Sequence, residues 1–170
     1  MIEVHPFLSF VPKDSKYLLL GSFPGTTGKD NPEYWFYGTR TTQFWSIFEN
    51  IYNIKLKTRK SKEELFSKLK LAISDVIYSA ERKSNNSSDL NLIKITYNNE
   101  VIEEILSKNK IQKIFFTSAY TATKYKTKFK DLITKHPKIK LITLPSPSPR
   151  YAMMTKQEKI KRYRNLLPFS

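Results

Sequence analysis

The sequence predicts an α/β chain, a three-layer α/β/α sandwich around a four-stranded parallel sheet. Two observations carry the expectation. Four short apolar runs, at residues 16–21, 71–77, 113–117 and 140–144, are separated by segments with helical spacing, and strands that alternate with helices pair in parallel. The runs are apolar at consecutive positions, as in Leu18-Leu19-Leu20 and Ile114-Phe115-Phe116, which suits strands covered on both faces. At 170 residues the chain is expected to form one domain spanning residues 1–170, large enough to bury a core of its own.

Each element has a local reason. The first run, Lys16-Tyr-Leu-Leu-Leu-Gly21, ends in glycine and feeds a loop over residues 22–41 that holds Pro24, Gly25, Gly28, Pro32 and Gly38. A loop of this length in a compact domain is usually functional. Phe44, Ile47, Phe48 and Ile51 then recur at helical spacing. Ser61-Lys-Glu-Glu64 has the form of a capping box and is expected to open a second helix that runs to Leu69. The run 71–77 reads as a strand followed by a polar loop over 79–89. Residues 100–107 carry Val101, Ile102, Ile105 and Leu106 on one helical face. The strand at 113–117 leads into a lysine-laced helix over 119–134. After the last strand, Thr155-Lys-Gln-Glu158 is a second capping box, opening a helix to Leu167.

Composition excludes several chemistries. There is no cysteine, so disulfides, iron–sulfur clusters and thiolate zinc sites are out. Two histidines, His5 and His136, do not suggest a metal centre, and no metal or cofactor is expected. No apolar run approaches the roughly 18–20 residues that span a bilayer. The start shows no basic segment followed by an apolar one, so the chain is expected in the cytoplasm. The net charge is +15 and is unevenly placed: residues 1–50 balance to −1 and residues 51–170 to +16. Lysine-rich codon usage is one source of such a count. A polyanion partner is the other, because each neutralised phosphate releases a counterion.

Ligands of open parallel sheets bind outside the carboxyl ends of the strands. That rule selects the loops after Gly21, after Ile77 and after Leu144, which are expected to converge on one cleft. The first loop, Gly21-Ser-Phe-Pro-Gly-Thr-Thr-Gly-Lys-Asp30, is no phosphate loop. Phe23 stands where the Walker pattern needs glycine, and Asp30 where it needs Ser or Thr. Tyr34, Trp35, Phe36 and Tyr37 form a run of four rings; they either close the core over the sheet edge or offer a surface on which bases stack. The last loop, Leu144-Pro-Ser-Pro-Ser-Pro-Arg-Tyr151, is stiffened by alternate prolines, each of which fixes its own φ and extends the residue before it. Alone it reads equally as a rigid connector. Beside an aromatic loop on a basic chain, it reads as a protrusion that presses on a nucleic acid.

Taken together, Gly21-Ser-Phe-Pro-Gly25, then Phe36-Tyr-Gly38, then Phe44-Trp45 after five intervening residues, and Leu144-Pro-Ser-Pro-Ser-Pro149 resemble the uracil-DNA glycosylase superfamily, and most closely its hypoxanthine-DNA glycosylase branch. The resemblance runs from the first strand to the last helix and implies the same α/β/α fold. It implies a monofunctional hydrolase that removes a deaminated base, hypoxanthine or uracil, flipped out of duplex or single-stranded DNA, with no cofactor, acting as a monomer. A catalytically silent nucleic-acid-binding protein of the same fold is the alternative. A glycosylase-like hydrolase of free nucleosides is a weaker reading, since a small neutral substrate needs no basic surface.

By the same resemblance, Gly21, Phe23, Pro24, Gly25 and Gly38 line the base pocket, and Phe36 or Tyr37 stacks on the extruded base. Ser146 and Ser148 bond phosphates, with Arg150 or Tyr151 near the vacated site. Ser22, Thr42 and Asp75 are expected at the chemistry, and Arg82 at the DNA. Several positions depart from one branch or another. Phe23 stands where the uracil and mismatch branches carry Asp or Asn, although the hypoxanthine branch also has Phe there; Thr42 stands where the hypoxanthine branch carries Asn, Thr39-Arg40 where the family has His-Pro, and Leu144 where the uracil branch carries His. Thr42 can orient a water but is no general base. The other ionisable groups near the loops are Asp30, Glu33 and Glu81, with Asp89 in Ser87-Ser-Asp89 read as a turn cap.

Overall fold

The computed structural model describes residues 1–169. Its strands are β1 (Ile2–Val4), β2 (Tyr17–Gly21), β3 (Leu71–Asp75), β4 (Ile77–Arg82), β5 (Leu92–Tyr97), β6 (Lys113–Phe116) and β7 (Lys140–Thr143). Its helices are α1 (Phe44–Tyr52), α2 (Arg59–Lys68), α3 (Asn99–Lys108), α4 (Ala119–Lys128), α5 (Lys130–Lys135) and α6 (Lys156–Leu166). The four runs read from the sequence form one parallel sheet in the order β3-β2-β6-β7. Leu19, Ile73 and Phe115 face a core shared with α1, α2 and α6. Leu18, Leu20, Ala72, Ile114 and Phe116 face a second core, shared with α3, α4 and α5. Leu18, Leu19 and Leu20 are fully buried, each worth about 1.5–3 kcal/mol of transfer free energy. The three-layer architecture follows from that two-sided burial.

Four local expectations need correction. The strand expected over 71–77 stops at Asp75; the Val76 amide bonds the Gly21 carbonyl and the Ile77 amide the Ser22 carbonyl, and the chain turns out of the parallel sheet. The polar loop expected over 79–89 is in its first part β4, the centre of an antiparallel sheet in the order β1-β4-β5. Its partners pair as Glu3↔Ala80 and Ile77↔Tyr97, too distant in sequence for local patterning to show. The helix expected over 119–134 breaks at Phe129, which leaves helical geometry (φ −122°, ψ 34°) to bury its ring, stacked on Tyr125 at 5.1 Å. The second helix starts earlier than the Ser61–Glu64 box implied: Thr58 is its cap, its hydroxyl accepting from the Ser61 amide while Ser61 reaches back. The Thr155–Glu158 box does open the last helix. No helix among the described residues is long and apolar enough to cross a membrane.

Candidate functional site

Outside the carboxyl ends of the parallel strands lies a cleft of about 740 Å³, within the range of small-ligand sites. The three expected loops all reach it, through Ser22, Phe23 and Gly25 to Thr27 but not Pro24, through Asn85 to Leu90, and through Ser146 to Tyr151. A fourth segment joins them: Thr117 and Ser118, between β6 and α4, and Tyr120 in the first turn of α4. The strand-end rule applied to the run 113–117 selects this turn as well; its shortness before the helix hid it.

The floor is shaped by Gly21. A Cβ there would sit 2.2 Å from Tyr37 Oη and 2.6 Å from Asp75 Oδ1, so only glycine permits the approach of those two side chains. Tyr37 holds a left-handed conformation (φ 56°), uncommon for a residue with a side chain and a mark of functional strain. Its ring stacks on Phe44 at 3.9 Å and its hydroxyl donates to Thr117 Oγ1 at 2.9 Å. Burial, and then the charge of Asp75, push its phenol well above the usual range, so it remains a neutral donor. Of the two rings proposed to stack on a base, Tyr37 lines the cleft. Phe36 does not: it is 2% exposed and packs on His5, Phe7 and Trp35. Phe44 and Trp45 are core, and the Trp45 indole donates to the Phe36 carbonyl at 2.7 Å. Phe23 and Gly25 line the cleft, whereas Gly38 lies beneath the Tyr34 ring.

Asp75 and Arg82 sit elsewhere than expected. Asp75 does not line the cleft. Its Oδ2 accepts from His5 Nε2 at 2.7 Å, both side chains being 7% exposed, while His5 Nδ1 accepts from the Phe7 amide. Phe7, Phe23 and Phe36 surround the imidazole. Arg82 is a clamp, not a DNA contact. Its side chain is 7% exposed and donates to Glu3 at 2.9 Å, to the Asn86 carbonyl at 3.2 Å and to the Pro24 carbonyl, tying β1 and the first two loops together. A guanidinium with these partners has no face left for a phosphate. Asp30 pairs at the surface with Arg40, Glu33 accepts from the Arg59 amide, and Glu81 pairs with Lys94 and the amino terminus.

Asp89, expected to cap a turn, does not. Ser88, not Asp89, caps the one-turn 3₁₀ helix at Asp89–Asn91, and Asp89 lines the cleft. Ser22 Oγ donates to its Oδ1 at 2.6 Å. Burial raises its pKa to about 6, with the Ser22 hydrogen bond pulling the other way. Thr42 lines the same cleft, its hydroxyl accepting a long 3.4 Å bond from the Phe44 amide.

The proline loop forms one rim. Leu144 is core, 1% exposed, with its amide bound to the Phe116 carbonyl at 2.7 Å; the loop proper begins after it. Three ties hold it: Tyr163 Oη donates to the Pro145 carbonyl at 2.6 Å, the Gln43 amide to the Pro147 carbonyl at 2.9 Å, and Lys159 Nζ to the Ser148 carbonyl and to Gln43 Oε1, both at 2.9 Å. Ser146 Oγ accepts from the Ser148 amide and Ser148 Oγ from the Arg150 amide, each at 3.2 Å. Each hydroxyl therefore spends a lone pair on the loop and keeps its proton free to donate outwards. Arg150 is exposed at the tip, with no carboxylate in ion-pair range among the described residues, and Tyr151 lies beneath Lys159, 5.6 Å from ring centre to Nζ.

Comparisons with known proteins place the family and the fold. The family model of the uracil DNA glycosylase superfamily matches residues 8–167. The fold is similar to the solution NMR structure of a candidate uracil DNA glycosylase from Methanosarcina acetivorans, with a TM-score of 0.65 and 18% identity over 98% of this chain and 99% of that one. At that identity the likeness shows the fold alone. A comparison with curated proteins finds no match.

Proposed function

Since the chain belongs to the uracil DNA glycosylase superfamily, we propose that it is a DNA glycosylase that hydrolyses the N-glycosidic bond of a deaminated base, hypoxanthine or uracil, extruded from DNA. The observation that carries this reading is the cleft itself. Four strand-end loops enclose a space of nucleotide size, and one of them is a pinned proline loop whose two serine hydroxyls are free to donate. Chemistry on a base inside a duplex requires that the base leave the stack. A stiff loop beside a cleft suits that task, because a flexible one would lose its ordering entropy on binding.

In this reading the backbone around Gly21, Phe23, Pro24 and Gly25 meets the base, and Tyr37 packs beneath it. Ser146 and Ser148 donate to phosphate oxygens, while Arg150 and Tyr151 stand where the base was. The surplus of positive charge over residues 51–170 supports a polyanion partner. The second reading, a silent binding protein, is favoured by Phe23 and Thr42, neither of which can serve as a general base.

Oligonucleotides carrying uracil, hypoxanthine, xanthine or a G·T mismatch, single-stranded and duplex, separate the two. Alkali-labile sites are expected at uracil or hypoxanthine. Salt-dependent binding without cleavage of any substrate would establish the silent protein instead.

A further inference from the structure

The departures at Phe23 and Thr42 leave the reaction without an evident base in the first loop, and the second loop supplies one. We propose that Asp89, held by Ser22, is the group that activates the hydrolytic water, an assignment that rests on the glycosylase reading. Asp89 is the one carboxylate among the described residues that lines the cleft. Its two oxygens are differentiated. Oδ1 is anchored by Ser22 Oγ at 2.6 Å, while Oδ2 has no protein partner among the described residues. Oδ2 is not a buried unpaired atom either, since among the described residues the only such atom is Trp35 Nε1; it therefore meets solvent, at a residue that lines the cleft. An anchored carboxylate with one open oxygen is what positioning a water demands.

The groups around it set its basicity. Burial raises the carboxyl to about 6, Ser22 lowers it, Asp75 from β3 raises it and Arg82 from β4 lowers it. Tyr37 and Tyr120, both neutral phenols, face it across the cleft. A base of this strength is largely ionised at neutral pH and accepts a proton more readily than an ordinary aspartate.

The step balances with one water. The bond between C1′ and the base nitrogen breaks, and its electron pair leaves with the base. The water oxygen bonds C1′ and its proton passes to Asp89, then to solvent, while the departing base takes a proton from solvent. The negative carboxylate also opposes the positive charge that develops on the sugar.

The test is single-turnover excision of uracil and hypoxanthine on both sides of pH 6, with wild type, D89N, S22A and T42A. D89N keeps the shape and the acceptor for Ser22. It is expected to lose at least about 100-fold in rate, to bind DNA as wild type does, and to lack the rise in rate that wild type shows through pH of about 6. S22A is expected to move that rise to higher pH, because the hydrogen bond it removes favours the ionised form. A D89N enzyme as fast as wild type overturns the assignment. So does a slow D89N enzyme that keeps the same pH rise, since the rise then belongs to another group. A wild type inert on every base removes the glycosylase reading and this assignment with it, an outcome distinct from an active wild type matched by D89N.

Discussion

Two carboxylates flank the start of the first loop, and their surroundings give them different work. Asp75 lies within reach of Gly21 and is bonded to His5, whose imidazole is surrounded by Phe7, Phe23 and Phe36. Asp89 meets the next residue, Ser22, and opens on the cleft. Each has one oxygen bonded to a protein donor, but Asp75 is buried away from the cleft while Asp89 lines it. Residue type and position near a strand end are shared, so neither predicts the role. What separates the two is whether the carboxylate is buried away from the cleft or lines it.

The largest effects should divide along that line. D89N is expected to lower excision by at least about 100-fold while leaving urea denaturation at neutral pH no worse than wild type. Asp75→Ala should do the reverse. It strands the buried His5 donor at a cost of about 1–3 kcal/mol in unfolding free energy, with the rate per folded molecule reduced less than about tenfold. An Asp75→Ala protein of unchanged stability and abolished activity would exchange the two roles and break the comparison.

The proline loop offers the next test. Lys159, 1% exposed, is held below its ordinary pKa by burial and ties Ser148 to Gln43. Lys159→Met should leave both acceptors short of a partner, again about 1–3 kcal/mol, and should speed hydrogen exchange in residues 146–151 and weaken DNA binding. Unchanged exchange there would assign the stiffness to the prolines alone.

Asp89 also predicts a stability profile. Its folded pKa, about 6 against an ordinary 3.8, means the folded state binds the proton more tightly than the unfolded chain. Its contribution is thus most favourable below the unfolded value and is lost as pH rises through about 6. D89N should therefore be more stable than wild type above that pH, with the gap closing as pH falls towards 3.8. Thermal unfolding across that window checks it, and a gap independent of pH would deny the carboxyl its raised value. The smallest effect is expected at Arg150. Its replacement by alanine should lower the salt slope of DNA binding by about one, and an unaltered slope would move the phosphate contact away from the loop tip.

Much of the fold is readable in the chain, and the reason is local. A strand buried on both faces must be apolar at successive positions, so the runs at 16–21 and 113–117 declare themselves, and the half-buried edge run at 140–144 follows the same pattern more weakly. The ends of those runs point to the cleft, and the prolines of residues 145–149 are visible as a stiff rim. Ser61 and Phe129 show where local patterning falls short: Thr58 supplies an equally good cap three residues earlier, and burial of one ring interrupts a helix that the spacing allows to continue.

The sequence by itself therefore determined the parallel sheet, the strand ends at which the loops gather and the basic character of residues 51–170. Tertiary structure alone decided which carboxylate lines the cleft. Ser22 meets Asp89 across 67 positions, His5 meets Asp75 across 70, and Arg82 meets Glu3 across 79. A hydrogen bond between two side chains imposes no periodicity on the residues around either of them, so its existence is written only in the topology that brings them together.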